Sequence, residues 1–118
     1  MNDTQTGWDL AHARELYNLP QWGEGYFDVG PSGHLLVRPN RDPAAPAIDL
    51  YELAQRLPGE GLALPVLLRF VEILHDRVDQ LTGAFAQVIE ELGYRGRYTA
   101  VYPIKVNQQG DVVEEIVK

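Results

Sequence analysis

The sequence predicts an α/β fold built on a strand–helix–strand unit, and three observations carry that reading. Two short, nearly unbroken apolar runs, at 65–68 and 100–106, have the composition of strands buried on both faces. Between them Val71, Leu74, Val78, Leu81, Phe85, Val88 and Leu92 recur at alternating steps of three and four. That spacing lines one face of a helix of about six turns. Strand, helix and strand in this order point to parallel pairing, with a right-handed crossover as the default.

Each remaining element has its own signal. Residues 1–7 are polar and read as a mobile end. Leu10, Ala13 and Leu16 give a weak helical pattern over 9–19 that stops at Pro20. Two β-prone runs, 25–29 and 34–38, flank Gly30-Pro31-Ser32-Gly33 and predict a hairpin. Residues 39–46 hold three prolines and read as a linker. Asp49, with Glu52 three residues on, fits a capping box for a short helix to Leu57, ended by Pro58-Gly59. Gly93 is a natural stop for the long helix. Asp111 precedes a last helical pattern in Val112, Val113, Ile116 and Val117.

Bulk properties narrow the function. With 118 residues, 45% hydrophobic and 23% charged, the balance is that of a globular chain, one small domain or part of a larger one. A net charge of −7 leaves no basic footprint for a phosphate backbone, so nucleic acid is not an expected partner. The absence of cysteine excludes disulfides and thiolate metal sites. The start of the chain has no basic segment followed by an apolar one, so no secretory signal is expected. The run at 62–68, interrupted by Pro65, falls far short of the ~20 apolar residues of a membrane span. A soluble, cytoplasmic protein with no membrane partner is the expectation.

Lysine occurs only at 105 and 118, against eight arginines. Lys105 lies within Ala100-Val101-Tyr102-Pro103-Ile104-Lys105-Val106, at the end of the second predicted strand. Residue type and position leave two readings open. A lysine ammonium at the end of a buried parallel strand loses hydration, which favours the neutral amine that a Schiff base with a carbonyl requires. Active sites also gather at such strand ends. The plainer reading is a lysine whose stem lies on apolar surface while its ammonium reaches water.

The string Val101-Tyr102-Pro103-Ile104-Lys105-Val106-Asn107-Gln108-Gln109 closely resembles the cofactor-lysine strand of the biosynthetic arginine decarboxylases. These belong to the alanine-racemase-like, barrel-type class of pyridoxal-phosphate enzymes. The ornithine and diaminopimelate decarboxylases of that class share only a shorter Tyr…Lys…Asn pattern, so Pro103 and the Gln108-Gln109 pair favour the arginine group. Three further segments fit in the same order. Trp22-Gly23-Glu24-Gly25-Tyr26-Phe27 with Gly33-His34 resembles the family's N-terminal hairpin. Ile48-Asp49-Leu50 resembles the beginning of its first helix. Leu64-Pro65-Val66-Leu67-Leu68-Arg69-Phe70, with Ile73-Leu74 and Arg77, resembles its first barrel strand and helix.

The resemblance covers residues 8–118 and implies the beginning of a much longer enzyme. In that organisation residues 1–20 are an arm with a short helix. Residues 21–47 are a hairpin and Pro-rich linker, the hairpin belonging with a β-sandwich domain. Residues 48–118 open a (β/α)8 TIM barrel of fold type III. The implied reaction takes L-arginine to agmatine and CO2, feeding polyamine synthesis. The implied cofactor is pyridoxal 5′-phosphate, with Mg2+ as a further family ion, and the implied assembly is a dimer-based homo-oligomer or tetramer. Lys105 is the one residue carried over as catalytic and cofactor-binding: it would hold the cofactor, yield it to the substrate amine and return to release product. The cofactor's phosphate cup, the acidic partner of its pyridine nitrogen and the substrate-binding groups would come from later strands and partly from a second subunit. A truncated domain that assembles without turnover is the rival from outside catalysis.

Other residues carry blander readings. Tyr102 shapes a pocket or is a core aromatic, and Asn107 caps the following turn. His34 and His75 lack metal spacing and read as structural or surface groups. Gly23-Glu24-Gly25 is too short to cradle a phosphate and reads as turn chemistry. Glu114-Glu115 reads as a solvated helix face near a helix N-terminus.

Overall fold

The computed structural model describes residues 7–118, and the expectation for a mobile end at 1–7 lies, but for Gly7, outside them. The chain forms two compact units, one ending at Leu68 and the other spanning Arg69–Lys118. Among the described residues, helices and one three-stranded antiparallel sheet make up the regular structure.

In the first unit, α1 (Leu10–Leu16) begins where the Asp9 carboxylate accepts the His12 N–H at 2.7 Å. It ends earlier than its apolar pattern suggests, because Asn18 takes a left-handed φ of 52°. A second short helix, α2 (Leu19–Trp22), then starts with Pro20 in its first turn. Proline thus opens a helix here instead of stopping one, since a first-turn residue has no N–H bond to lose.

The hairpin forms as the turn chemistry dictates. Strands β1 (Phe27–Val29) and β2 (Leu35–Val37) pair antiparallel, Phe27 opposite Val37 and Val29 opposite Leu35. The Gly30 N–H donates to His34 O at 2.9 Å and the Gly33 N–H to Gly30 O at 2.8 Å. Gly33 sits at φ 80°, the left-handed position that a three-residue hairpin loop requires. A third strand, β3 (Ile48–Asp49), adds to β2 with Ile48 opposite Val37. Its two residues leave too short a run for an alternation signal, and they were expected to begin the helix.

Asp49 then caps α3 (Leu50–Arg56), accepting the Glu52 N–H at 3.0 Å, and a 3-10 turn follows at Leu57–Glu60. Residues 39–46 form no helix or strand, as their prolines imply. The core of this unit is Ala13, Leu19, Tyr26, Val29, Val37 and Leu57, with Val37 fully enclosed.

The second unit contains the long helix α4 (Val71–Glu91) and a last helix α5 (Gly110–Ile116), which pack on one another. Helix α4 ends as its sequence requires. Gly93 adopts φ 58°, its N–H donates to Glu90 O at 3.1 Å, and the Tyr94 N–H donates to Ile89 O at 2.9 Å. These two bonds together are a complete Schellman motif.

The two predicted strands of this region do not form. Neither 65–68 nor 99–104 is a strand, and residues 104–106 make a 3-10 turn. The apolar stripe of α4 is also uncovered, with Leu81, Phe85, Val88 and Leu92 all exposed. A parallel strand has no local partner; its ladder and both its faces come from distant chain. These residues supply apolar runs of the right kind but no sheet for them to join.

Candidate functional site

Lys105 lies in the middle of the 3-10 turn (Ile104–Val106) and is exposed. The burial anticipated from a strand end is therefore not made by this chain. What the chain does make is a locally closed loop. The Val106 N–H donates to Pro103 O at 2.9 Å. The Tyr102 hydroxyl reaches across the turn and donates to the Asn107 carbonyl at 3.3 Å. The Asn107 side-chain oxygen accepts the Gln109 N–H at 3.1 Å, so Asn107 does shape the turn leading into α5. Gln109, at the N-terminal edge of α5, accepts from the Arg69 guanidinium through its side-chain oxygen.

Lys105 is thus held between two residues that bridge its turn, and the far end of the same loop is tied to Arg69, just before α4 begins. All but the last of these bonds span five residues or fewer, so the loop geometry is written in local sequence. The Arg69–Gln109 bond joins residues forty apart and carried no signal of its own.

The remaining candidates fall into structural roles. His34 Nδ1 meets Asp49 Oδ2 at 2.7 Å, and its ring lies 4.5 Å from that of Tyr51, centroid to centroid. The Glu52 N–H first, and His34 after it, hold the Asp49 carboxyl below its ordinary value. This pair ties the end of the hairpin loop, just before β2, to the N-cap of α3.

His75 Nε2 lies 3.0 Å from Glu115 Oε2, within ion-pair reach though poorly directed for a hydrogen bond. Lys118 also pairs with Glu115, and this contact, more than that of His75, lowers the Glu115 carboxyl and raises the Lys118 ammonium. Glu115 therefore joins α5 to α4 instead of facing open water, whereas Glu114 is exposed, as a solvated face requires. Gly23 belongs to turn chemistry, as expected: a Cβ there would stand 2.6 Å from Leu19 O.

An ion pair with no sequence signal joins α1 to the sheet. Arg14 Nε and Nη2 donate to the two oxygens of Asp28 at 2.7 and 2.8 Å, a bidentate fork. The Arg14 bond is the main cause holding the Asp28 carboxyl below its usual range.

Over 111 residues, 94% of its length, the chain is 52% identical to the biosynthetic arginine decarboxylase of Alkalilimnicola ehrlichii. It is 56% identical over 110 residues to that of Chromobacterium violaceum. The chain is homologous to biosynthetic arginine decarboxylases. The Pseudomonas aeruginosa arginine decarboxylase adds 51% identity over 115 residues, 98% of the chain. The chain spans 18%, 17% and 18% of these three decarboxylases respectively. No family model matches it. No helix among the described residues is long and apolar enough to cross a membrane.

The donor chemistry around Lys105 fits the aldehyde end of pyridoxal phosphate. A primary amine that solvent reaches, on a turn fixed by its own neighbours, can attack a small carbonyl. Among the described residues no cluster of three or more His, Cys, Asp or Glu is grouped to hold a metal ion.

Proposed function

We propose that the chain is the cofactor-lysine portion of a pyridoxal-phosphate-dependent arginine decarboxylase, whose whole protein converts L-arginine to agmatine and CO2. One observation carries this reading: identity of 51–56% to proteins of that name over 93–98% of the chain, a stretch that includes Lys105. Pro103 and Gln108-Gln109 favour arginine over the ornithine and diaminopimelate branches of the class.

In this reading residues 1–20 are an arm, 21–47 a hairpin and linker meeting a β-sandwich domain, and 48–118 the opening of a (β/α)8 barrel. Exposure supports it. Leu67 and Val101 are 76% and 82% exposed, and both lie in the apolar runs assigned to barrel strands. Burying such runs on two faces is what a parallel sheet with its helices does. The uncovered stripe on α4 is the face such a helix turns toward the barrel.

Pyridoxal phosphate, when bound, supplies an electron sink that makes loss of CO2 from the α-carbon feasible. The chain's own residues do the rest of what falls to this segment. Lys105 supplies the primary amine, Nζ, that would hold the cofactor through its aldehyde group. Tyr102 and Asn107 fix the turn that presents Nζ, and Arg69 with Gln109 anchors the loop behind it. The phosphate cup, the pyridine-nitrogen partner, any Mg2+ ligands and the substrate-binding groups come from elsewhere in the whole protein or its partner subunit. A cytoplasmic, dimer-based oligomer acting in polyamine synthesis completes the proposal.

The test uses the whole protein that contains this stretch, loaded with pyridoxal phosphate. Borohydride reduction should abolish its visible absorbance and leave the cofactor's mass on the Lys105 peptide alone. Lys105→Ala should remove that adduct and lower agmatine formation by several orders of magnitude. Lys105→Arg should fail equally, because a guanidinium keeps the charge but offers no neutral amine. Normal turnover by Lys105→Ala would overturn the proposal.

A further inference from the structure

We propose that the first unit holds a binding pocket for a small organic oxyanion, centred on Arg38 and built without Lys105. The pocket, about 380 Å³, is lined among others by Arg14, Phe27, Asp28, Arg38, Arg41 and Pro43. Three arginines and one aspartate are among its lining residues, in a chain whose net charge is −7. Arginine side chains gathered at one pocket favour an anion there.

The three arginines are not equivalent. Arg14 has committed Nε and Nη2 to Asp28, at 2.7 and 2.8 Å. Arg41 lies with its guanidinium carbon 5.2 Å from the centre of the Tyr26 ring, a cation–π contact. Arg38 Nε is buried and donates to nothing. A charged N–H without an acceptor is unfavourable, and a side-chain movement that opens Nε to the pocket would let an oxygen anion satisfy it. The fork geometry of a guanidinium suits two oxygens on one centre, as in a phosphate monoester or a carboxylate.

The backbone holds Arg38 in place. Its N–H donates to Tyr26 O at 2.7 Å, extending the β1–β2 pairing by one step. Strand alternation sets Arg38 on the same face as Asp28, because Asp28 pairs with Leu36 two residues before it. Arg38 is also among the charges that lower the Asp28 carboxyl. Opposite Arg41, Gly25 sits at φ 83°, and a Cβ added there would meet the Arg41 stem at 3.5 Å. Phe27 and Pro43 give the pocket an apolar wall, so the ligand class is an oxyanion carried on a small apolar body.

The arginine Nε–H group is visible by 1H–15N NMR, which makes the proposal directly testable on the 118-residue chain. Phenyl phosphate and benzoate serve as probes, inorganic phosphate as the headgroup alone, and sodium chloride at matched ionic strength as the control. The Arg38 Nε–H signal should move saturably with phenyl phosphate, with inorganic phosphate weaker; comparison with benzoate separates phosphate from carboxylate preference. Arg38→Lys keeps the charge, removes the Nε–H and should weaken binding about tenfold. Arg41→Lys should weaken it less. Unchanged Val29 and Val37 methyl signals establish that each variant is folded.

A shift that chloride reproduces, or binding indifferent to Arg38→Lys, would overturn the proposal. So would a whole protein that binds no probe where the 118-residue chain does, since the pocket would then be filled by protein. None of these outcomes depends on where pyridoxal phosphate attaches.

Discussion

Up to Leu68 the chain buries Ala13, Leu19, Tyr26, Val29, Val37 and Leu57, whereas from Arg69 onward only Val112 is buried among the described residues. Both stretches are comparably apolar, so composition is not the cause. The first unit is a hairpin with a third strand and flanking helices, and each element finds its partner within a few dozen residues. The second is a long helix between segments whose partners, if parallel strands, must come from elsewhere. Antiparallel neighbours joined by tight turns complete themselves, and parallel ones wait for more sheet.

Removing one large apolar side chain from each unit of the 118-residue chain should have very different costs. Val37→Ala, at a fully enclosed position, should cost roughly 2–3 kcal/mol of stability. Phe85 is 45% exposed and stacks on Tyr98 with ring centroids 3.9 Å apart. Phe85→Ala should therefore cost about 1 kcal/mol or less, chiefly the ring contact. Denaturant unfolding of the two variants gives the order, and a larger loss for Phe85 would mean that the second unit has a core of its own. In the whole protein the Phe85 cost should rise to roughly 3–5 kcal/mol, if the stripe is covered there.

A smaller effect is expected at the ion pair of the first unit. Asp28 has a folded pKa below its unfolded one, mainly because Arg14 holds it ionised. Its stabilisation is thus fully present above the unfolded value of about 3.9 and is lost as pH falls through the folded value. Asp28→Asn should be less stable than the parent at neutral pH, and the gap should close on acidification through that window. With both side chains more than a third exposed, the gap should be on the order of 1 kcal/mol or less. Urea unfolding at several pH values measures it, and a gap that widens in acid would remove the Arg14–Asp28 pair from the account.

The smallest effect has the opposite sign. Gly83 lies inside α4, and a Cβ there would meet nothing within 4 Å. Gly83→Ala should stabilise the helix by roughly 0.5–1 kcal/mol, seen as a raised midpoint in thermal circular dichroism. A loss instead would place a partner against that side of the helix.

Local rules were legible in the sequence and distant ones were not. Gly30–Gly33 announced the hairpin, Asp49 its helix cap, Gly93 the end of α4, and Asn107 the turn after Lys105. Each rests on bonds between residues close in sequence. The Arg14–Asp28 fork and the Arg69–Gln109 bond join residues fourteen and forty apart, and no periodicity marks such pairs. The two apolar runs were identified correctly as apolar, but a ladder is a property of two segments at once. Lys105 stands out through its rarity and surrounding string, whereas Arg38 is one of eight arginines, and only the packing of the fold buries its Nε.

The sheet of the first unit closes by Asp49, and its last buried side chain is Leu57. A ribosome builds the chain from that end, adding roughly 5–20 residues each second, far slower than a hairpin forms. The β1–β2–β3 sheet and its capping helix therefore have time to settle before α4 is translated. The apolar segments at 64–68 and 99–106 emerge next, with no ladder waiting for them. For those seconds they are the part of the newborn chain on which a chaperone would find its grip.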